Sequence, residues 1–85
     1  MTLKEYEVLR EAAAGGRSMS WFEAPDRIGT TNDLLRWGYI KKVENVHKPD
    51  TGAEPKHYRA TGRGKDLWER IGTWEVAKAI VLPET

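Results

Sequence analysis

Cysteine is absent from the 85 residues, and that absence removes two large classes at once. A disulfide framework is excluded, as is any zinc site built on thiolates, and the composition suits a reducing compartment. Long apolar runs are missing too. The nearest approach, Val76 to Leu82, is interrupted by Lys78 and is far shorter than the roughly 20 residues a helix needs to cross a bilayer. The chain opens directly into the charged, periodic TLKEYEVL, so a cytoplasmic protein with no membrane partner is expected. Net charge is nearly missing as well: 14 Lys and Arg stand against 13 Asp and Glu, leaving +1. Bulk charge therefore points to no polyanionic partner, and only its placement can do so.

The constellations that catalysis needs are also missing. There is no cysteine nucleophile, and the GRG of Gly62, Arg63 and Gly64 lacks the strand, spacing and lysine of a phosphate-cradling loop. Glu23 and Asp26 are close in sequence but have no visible partner for acid–base work. His47 and His57 would face each other across a hairpin symmetric about Gly52. Only Glu44 and Asp50 are nearby carboxylates, and no third ligand is obvious. An enzyme is not expected, nor a metal or other cofactor.

What remains is enough for one small domain. Hydrophobic residues at 39% and charged residues at 32% describe a globular chain rather than a disordered one. Four Trp and three Tyr supply core volume that a chain of this length otherwise lacks. Trp68 and Trp74 fall on helices with other apolar residues, whereas Trp37 lies at the edge of the stripe set by Leu34 and Leu35. If exposed, Trp37 marks a partner surface.

Thr2 and Glu5 form a Thr-x-x-Glu capping box, and Leu3, Tyr6, Leu9, Ala12 and Ala13 recur at helical spacing until Gly15-Gly16 stops them. Over RSMSWFEAPDRIGTT the pattern is ambiguous: Ser18-Met19-Ser20 suits a short strand, Trp21 to Ala24 a brief helical turn. The next helix has two available starts, one near Pro25-Asp26 and one capped by Thr30. The second is favoured, because Gly29-Thr30 reads as a turn followed by a cap. Gly38 closes that helix, and a strand follows from Ile40 to His47, with a bulge where Val43 and Val46 break alternation. KPDTGAEP is a polar loop. KHYRA returns as a second strand, with Tyr58 and Ala60 on one face and His57 and Arg59 on the other. Thr61 caps a helix carrying Leu67, Trp68 and Ile71. Thr73 caps a terminal helix, WEVAKAIVL, whose face of Trp74, Ala77, Ile80 and Val81 packs on the first helix or on a second copy.

Charge is distributed unevenly along this order. Residues 1–33 and 66–85 each sum to −2, while 34–65 sum to +5. A focused basic patch on a nearly neutral protein still recruits phosphate. Lysines on the wet face of a small sheet are also a common guard against edge aggregation.

The sequence LLRWGYI, residues 34–40, followed after the basic hairpin by Tyr58-Arg59-Ala60-Thr61-Gly62-Arg63-Gly64, a Y-x-x-T-x-x-G pattern, resembles the winged helix-turn-helix domains of MarR- and PadR-type bacterial and phage transcriptional regulators. The resemblance covers roughly Thr2 to Ile71. It implies an α+β fold with a three-helix core, a two-stranded β-hairpin wing and an extra C-terminal helix. Residues 1–72 would form the winged-helix domain, and 73–85 the helix that packs on it or forms a homodimer interface. SMSWFEAPDRIG departs from the family by compressing the second helix and its turn around a Pro and a Gly.

The function so implied is binding of double-stranded DNA, with the helix at 30–37 in the major groove and the wing on phosphate. Thr30, Thr31 and Asn32 would face base edges or phosphate, with Arg36 one turn on and Arg27 just before the helix. Lys41, Lys48, Lys56, His57 and Arg59 would hold the backbone from the wing, which adds affinity without sequence information. The alternative is a protein-interaction module, an adaptor or inhibitor that uses the same hairpin or the Trp37 face and binds no DNA.

Overall fold

The computed structural model describes residues 1–15, 17–43 and 57–83, with His57 described in its backbone alone. Over these residues the chain is α+β: five helices and a two-stranded antiparallel sheet. The expected bulge near Val46 and the polar loop fall outside the described residues.

Helix α1, Leu3–Ala14, begins at the capping box: Glu5 N–H donates to the Thr2 hydroxyl, and the Glu5 carboxylate accepts from the Thr2 N–H. It ends at Gly15, whose φ of 71° is the left-handed value that a Cβ would penalise. Its buried stripe is Val8, Leu9 and Ala12. Tyr6, at the edge of that stripe, lies 5.2 Å from the ring of Trp68 and 5.4 Å, edge-on, from that of Trp74.

The ambiguous segment resolves as one helical turn, α2, Met19–Phe22, rather than a strand. Phe22 is its anchor, fully buried between Trp21 and Tyr58; burial of such a side chain contributes about 1.5–3 kcal/mol. A tight turn follows in which the Ala24 carbonyl accepts from the N–H groups of both Arg27 and Ile28. Helix α3, Ile28–Arg36, therefore starts two residues before the expected Thr30 cap. Gly29 has ordinary helical backbone, with no positive φ, so the turn signal at Gly29-Thr30 was outweighed by the bonds to Ala24.

The end of α3 follows expectation closely. Gly38 has φ of 83°, its N–H bonds to the Leu35 carbonyl, and the Tyr39 N–H bonds to the Leu34 carbonyl. This pair of bonds is a Schellman motif, and Tyr39 folds back into the core beside Leu34. Strand β1, Ile40–Val43, then pairs with β2, His57–Ala60, with Ile40 opposite Ala60 and Lys41 opposite Arg59. Tyr58 and Ala60 are buried and Arg59 is exposed, as period-two alternation requires.

Helix α4, Gly62–Ile71, starts at Thr61, whose hydroxyl accepts from Gly64 N–H, and buries Gly64, Leu67 and Ile71. The terminal helix is much shorter than expected: α5 spans only Trp74–Ala77. β-branched Ile80 and Val81 and the bias that Pro83 imposes on Leu82 oppose its continuation. Trp74 packs on Tyr6 and Ala77 is buried, so α5 completes the monomer against α1 and α4, while Val81 stays 80% exposed. Among the described residues no helix is long and apolar enough to cross a membrane.

The two glycines of the first α4 turn have opposite duties. A Cβ on Gly64 would lie 1.9 Å from the Tyr39 carbonyl oxygen, whereas one on Gly62 meets nothing within 4 Å. Gly64→Ala is therefore expected to destabilise the fold by at least about 2–3 kcal/mol, and Gly62→Ala to be neutral or stabilising by up to about 1 kcal/mol; urea denaturation of both variants measures the contrast.

Candidate nucleic-acid interface

Helix α3 is fixed by the carbonyls that α2 leaves open at its end. A helix of one turn cannot satisfy its last carbonyls internally. Arg27 Nε donates to the Trp21 carbonyl at 2.6 Å, and the Thr31 hydroxyl donates to the Phe22 carbonyl at 2.8 Å. Arg27 and Thr31 stand one turn apart, so together they clamp both carbonyls from α3. The Arg27 guanidinium also lies 4.3 Å from the centroid of the Trp21 ring and 3.5 Å from the Asp26 carboxylate. On the far side of the turn, the Lys4 ammonium donates to the Asp26 carboxylate at 3.2 Å. That hydrogen bond, with the Arg27 charge adding to it, holds the Asp26 pKa below its ordinary value.

These contacts revise the expected contact set. Thr31 is fully buried and has no surface to present to a partner. Arg27 is half-buried and engaged on an aromatic ring and a carbonyl, so its position is structural. Thr30 is half-buried, and Asn32 and Arg36 are exposed. The surface of α3 is thus a stripe of Gly29, Asn32, Asp33 and Arg36, at the i, i+3, i+4, i+7 spacing of one helical face. Along it, Arg36 Nη2 lies 2.6 Å from Asp33 Oδ1.

Next to α3, joined by the Gly38 turn, the sheet carries Lys41, Lys42 and Arg59, all exposed. Lys41 stands directly opposite Arg59 across the strands. Like charges in that arrangement repel rather than stabilise. Four cations elsewhere are paired with carboxylates: Lys4 with Asp26, Arg17 with Glu11, Arg36 with Asp33 and Lys78 with Glu75. The three sheet cations have no such carboxylate among the described residues. Arg59 extends over Gly15, at 3.4 Å from where a Cβ on that glycine would sit. Lys48 and Lys56 lie outside the described residues, as does the side chain of His57, and so does the His47–His57 pairing.

Two arginines emerge that residue spacing did not mark. Arg17 lies 5.4 Å from the Trp21 ring, the second guanidinium on that indole, and Arg63 lies 4.7 Å from the Tyr39 ring. Ring contacts of this kind join residues without any fixed sequence interval. Trp37 is half-buried against the core, so it is not the open aromatic face that its place beyond the leucine stripe suggested. Among the described residues no cluster of three or more metal-ligating side chains occurs.

Tyr58 closes the site on its inner side. Its hydroxyl donates to Glu23 Oε2 at 3.2 Å, and its ring meets Phe22. Burial raises its pKa above the ordinary 10.0, and the Glu23 carboxylate raises it further.

Comparison of the chain with protein-family models, with curated proteins and with solved structures finds no match.

Replacing Thr31 by Val keeps the shape but leaves the Phe22 carbonyl without its donor, and a loss of about 1–3 kcal/mol is expected in chemical denaturation. Because the folded state favours neutral Tyr58, that residue's contribution to stability is complete below pH about 10 and is lost as pH rises through its raised pKa. Melting temperatures followed from pH 9 to 11.5 should accordingly fall less steeply in Tyr58→Phe than in the wild type.

Proposed function

We propose that the protein is a winged-helix DNA-binding domain, a transcriptional regulator of bacterial or phage type, that docks the exposed face of α3 in the major groove and sets its sheet on the phosphate backbone. One observation carries the reading: Lys41 and Arg59, directly opposite each other on the outer face of the sheet, and Lys42, paired with Tyr58 on the other face, are exposed cations without a carboxylate partner among the described residues. Their sheet follows α3 after a connection of only Trp37 to Tyr39. Lys41 and Arg59 have no carboxylate partner among the described residues, and a phosphate bridging them would offset their repulsion. Element order supports the same reading. Three helices, a two-stranded antiparallel sheet and two further helices are compatible with the layout that the LLRWGYI and Y-x-x-T-x-x-G segments imply.

A second reading, a protein-interaction module without DNA binding, draws on the apolar exposure of the helical end. Leu3 is 52%, Val76 47% and Val81 80% exposed.

Titration of fluorescent duplex DNA at 50 and 200 mM salt separates the two. Binding is expected at low salt, and each phosphate contact removed, as in Lys41→Gln or Arg59→Gln, should lower the slope of log K against log salt by about 1. Absence of any binding at low salt would overturn the DNA reading and leave the protein-interaction module; binding unaffected by either variant would remove the sheet from it.

A further inference from the structure

The Asp33–Arg36 pair forms the C-terminal half of the stripe assigned to the groove, and its geometry bears on what that stripe can read. We infer that Arg36, oriented by Asp33, is the specificity-determining residue of α3 and reads a guanine through the major groove. The inference rests on the DNA-binding reading and goes beyond it by naming the base pair and the residues that select it.

Three observations converge. Helical side chains lean toward the N-terminus and over the preceding turn, so the Arg36 guanidinium is carried back from the last turn of α3 toward its middle. The 2.6 Å contact from Nη2 to Asp33 Oδ1 agrees with that direction and places the guanidinium one turn from Asn32. The pair is exposed, with 71% of the Arg36 side chain and 41% of the Asp33 side chain accessible. An ion pair so open to water contributes little to stability. Its larger effect is to bias a long, many-rotamer side chain toward this orientation, back along the helix, while most of that side chain stays open to a partner.

The planar N–H fork of Arg36 matches guanine in particular. Guanine presents two acceptors, N7 and O6, to the major groove, and a guanidinium meets both at once. Adenine offers N7 beside a donor, which the guanidinium cannot satisfy. Asp33 has a second consequence: a carboxylate on a groove-facing helix repels phosphate and so weakens binding to every duplex alike. It costs general affinity, and the return is orientation. Lysine in place of Arg36 would keep the charge and lose the fork.

The test is selection of binding sites from random duplexes with the wild type, followed by titration of the selected duplex and copies in which each guanine is replaced by 7-deazaguanine or its pair by A·T. One guanine position is expected to be required, with its replacement weakening wild-type binding about 5- to 150-fold, the range for a bidentate base contact. Arg36→Lys should bind random duplex about as well as the wild type, yet keep only part of the discrimination at that position, because an ammonium still donates to guanine O6 and N7 but lacks the planar fork. Asp33→Asn should bind random duplex at least as tightly as the wild type while its discrimination at that position falls by up to about fivefold. A merely structural role for Asp33 would instead weaken all duplexes in proportion, and that result overturns the inference. So does full discrimination retained in Arg36→Lys, or binding by the wild type with no guanine requirement; either leaves the DNA-binding reading standing. Failure of the wild type to bind any duplex overturns both.

Discussion

The Tyr39 carbonyl is the point on which the arrangement of the molecule depends. The first turn of α4 lies so close to it that a Cβ on Gly64 would stand 1.9 Å from the oxygen and 2.9 Å from its carbon. Thr61 completes the junction with both backbone and side chain. Its N–H donates to the Tyr39 carbonyl at 3.0 Å, its hydroxyl donates to the Gly38 carbonyl at 2.6 Å, and the same hydroxyl accepts from Gly64 N–H at 3.1 Å. The end of α3, the start of β1 and the start of α4 therefore share one set of hydrogen bonds. Because Gly38 and Tyr39 also close α3 through the Schellman bonds, the angle between that helix and the sheet is set within a few residues. This gives the Y-x-x-T-x-x-G pattern a physical content: Tyr58 fills the space beside Phe22, Thr61 binds the turn, and Gly64 permits the approach.

Electrostatics divides the molecule differently. Around α1, α3 and α5 several acidic and basic side chains discharge one another locally in exposed pairs, each contributing at most about 1 kcal/mol. Their main effect is to flatten the field around α1, α3 and α5. The sheet is not flattened: its strands carry Lys41, Lys42 and Arg59 and no carboxylate, within a chain of +1. With a screening length of about 8 Å at physiological ionic strength, an approaching polyanion senses the nearby patch rather than the sum. The low net charge is therefore no measure of what this surface attracts.

Legibility of the fold follows the range of the interaction that decides each feature. The Thr2–Glu5 box, the closing glycines at 15 and 38, the Thr61 cap and the alternation of Tyr58 and Ala60 depend on bonds within a few residues or on period two, and all were readable in the sequence. The start of α3 was not, because the bonds that set it come from Ala24 and from the Phe22 carbonyl, nine residues before Thr31. Thr31 and Arg27 looked like groove-facing polar groups by type and position. Their partners on α2 are tertiary contacts that no spacing announces. The terminal helix failed for a different reason: its apolar periodicity was real, but Ile80, Val81 and Pro83 work against helical backbone, and one buried turn is all that α1 and α4 require.

On the DNA-binding reading, this loss of Thr31 and Arg27 from the surface has a quantitative consequence. The exposed stripe runs from Gly29 to Arg36, a rise of about 10 Å at 1.5 Å per residue. With base pairs stacked about 3.4 Å apart, that length faces about three of them. A word of three base pairs recurs in any long DNA within ~64 positions, far too often for a single copy to select one site against the competing sequence of a genome. The sheet cannot make up the difference, since phosphate contacts raise affinity for every sequence equally. Selective regulation by this fold therefore requires a second reading element on the same DNA, another copy on an adjacent half-site or a partner that supplies further contacts. Target choice would then be coupled to assembly, and the few side chains on the α3 stripe would determine only half of it.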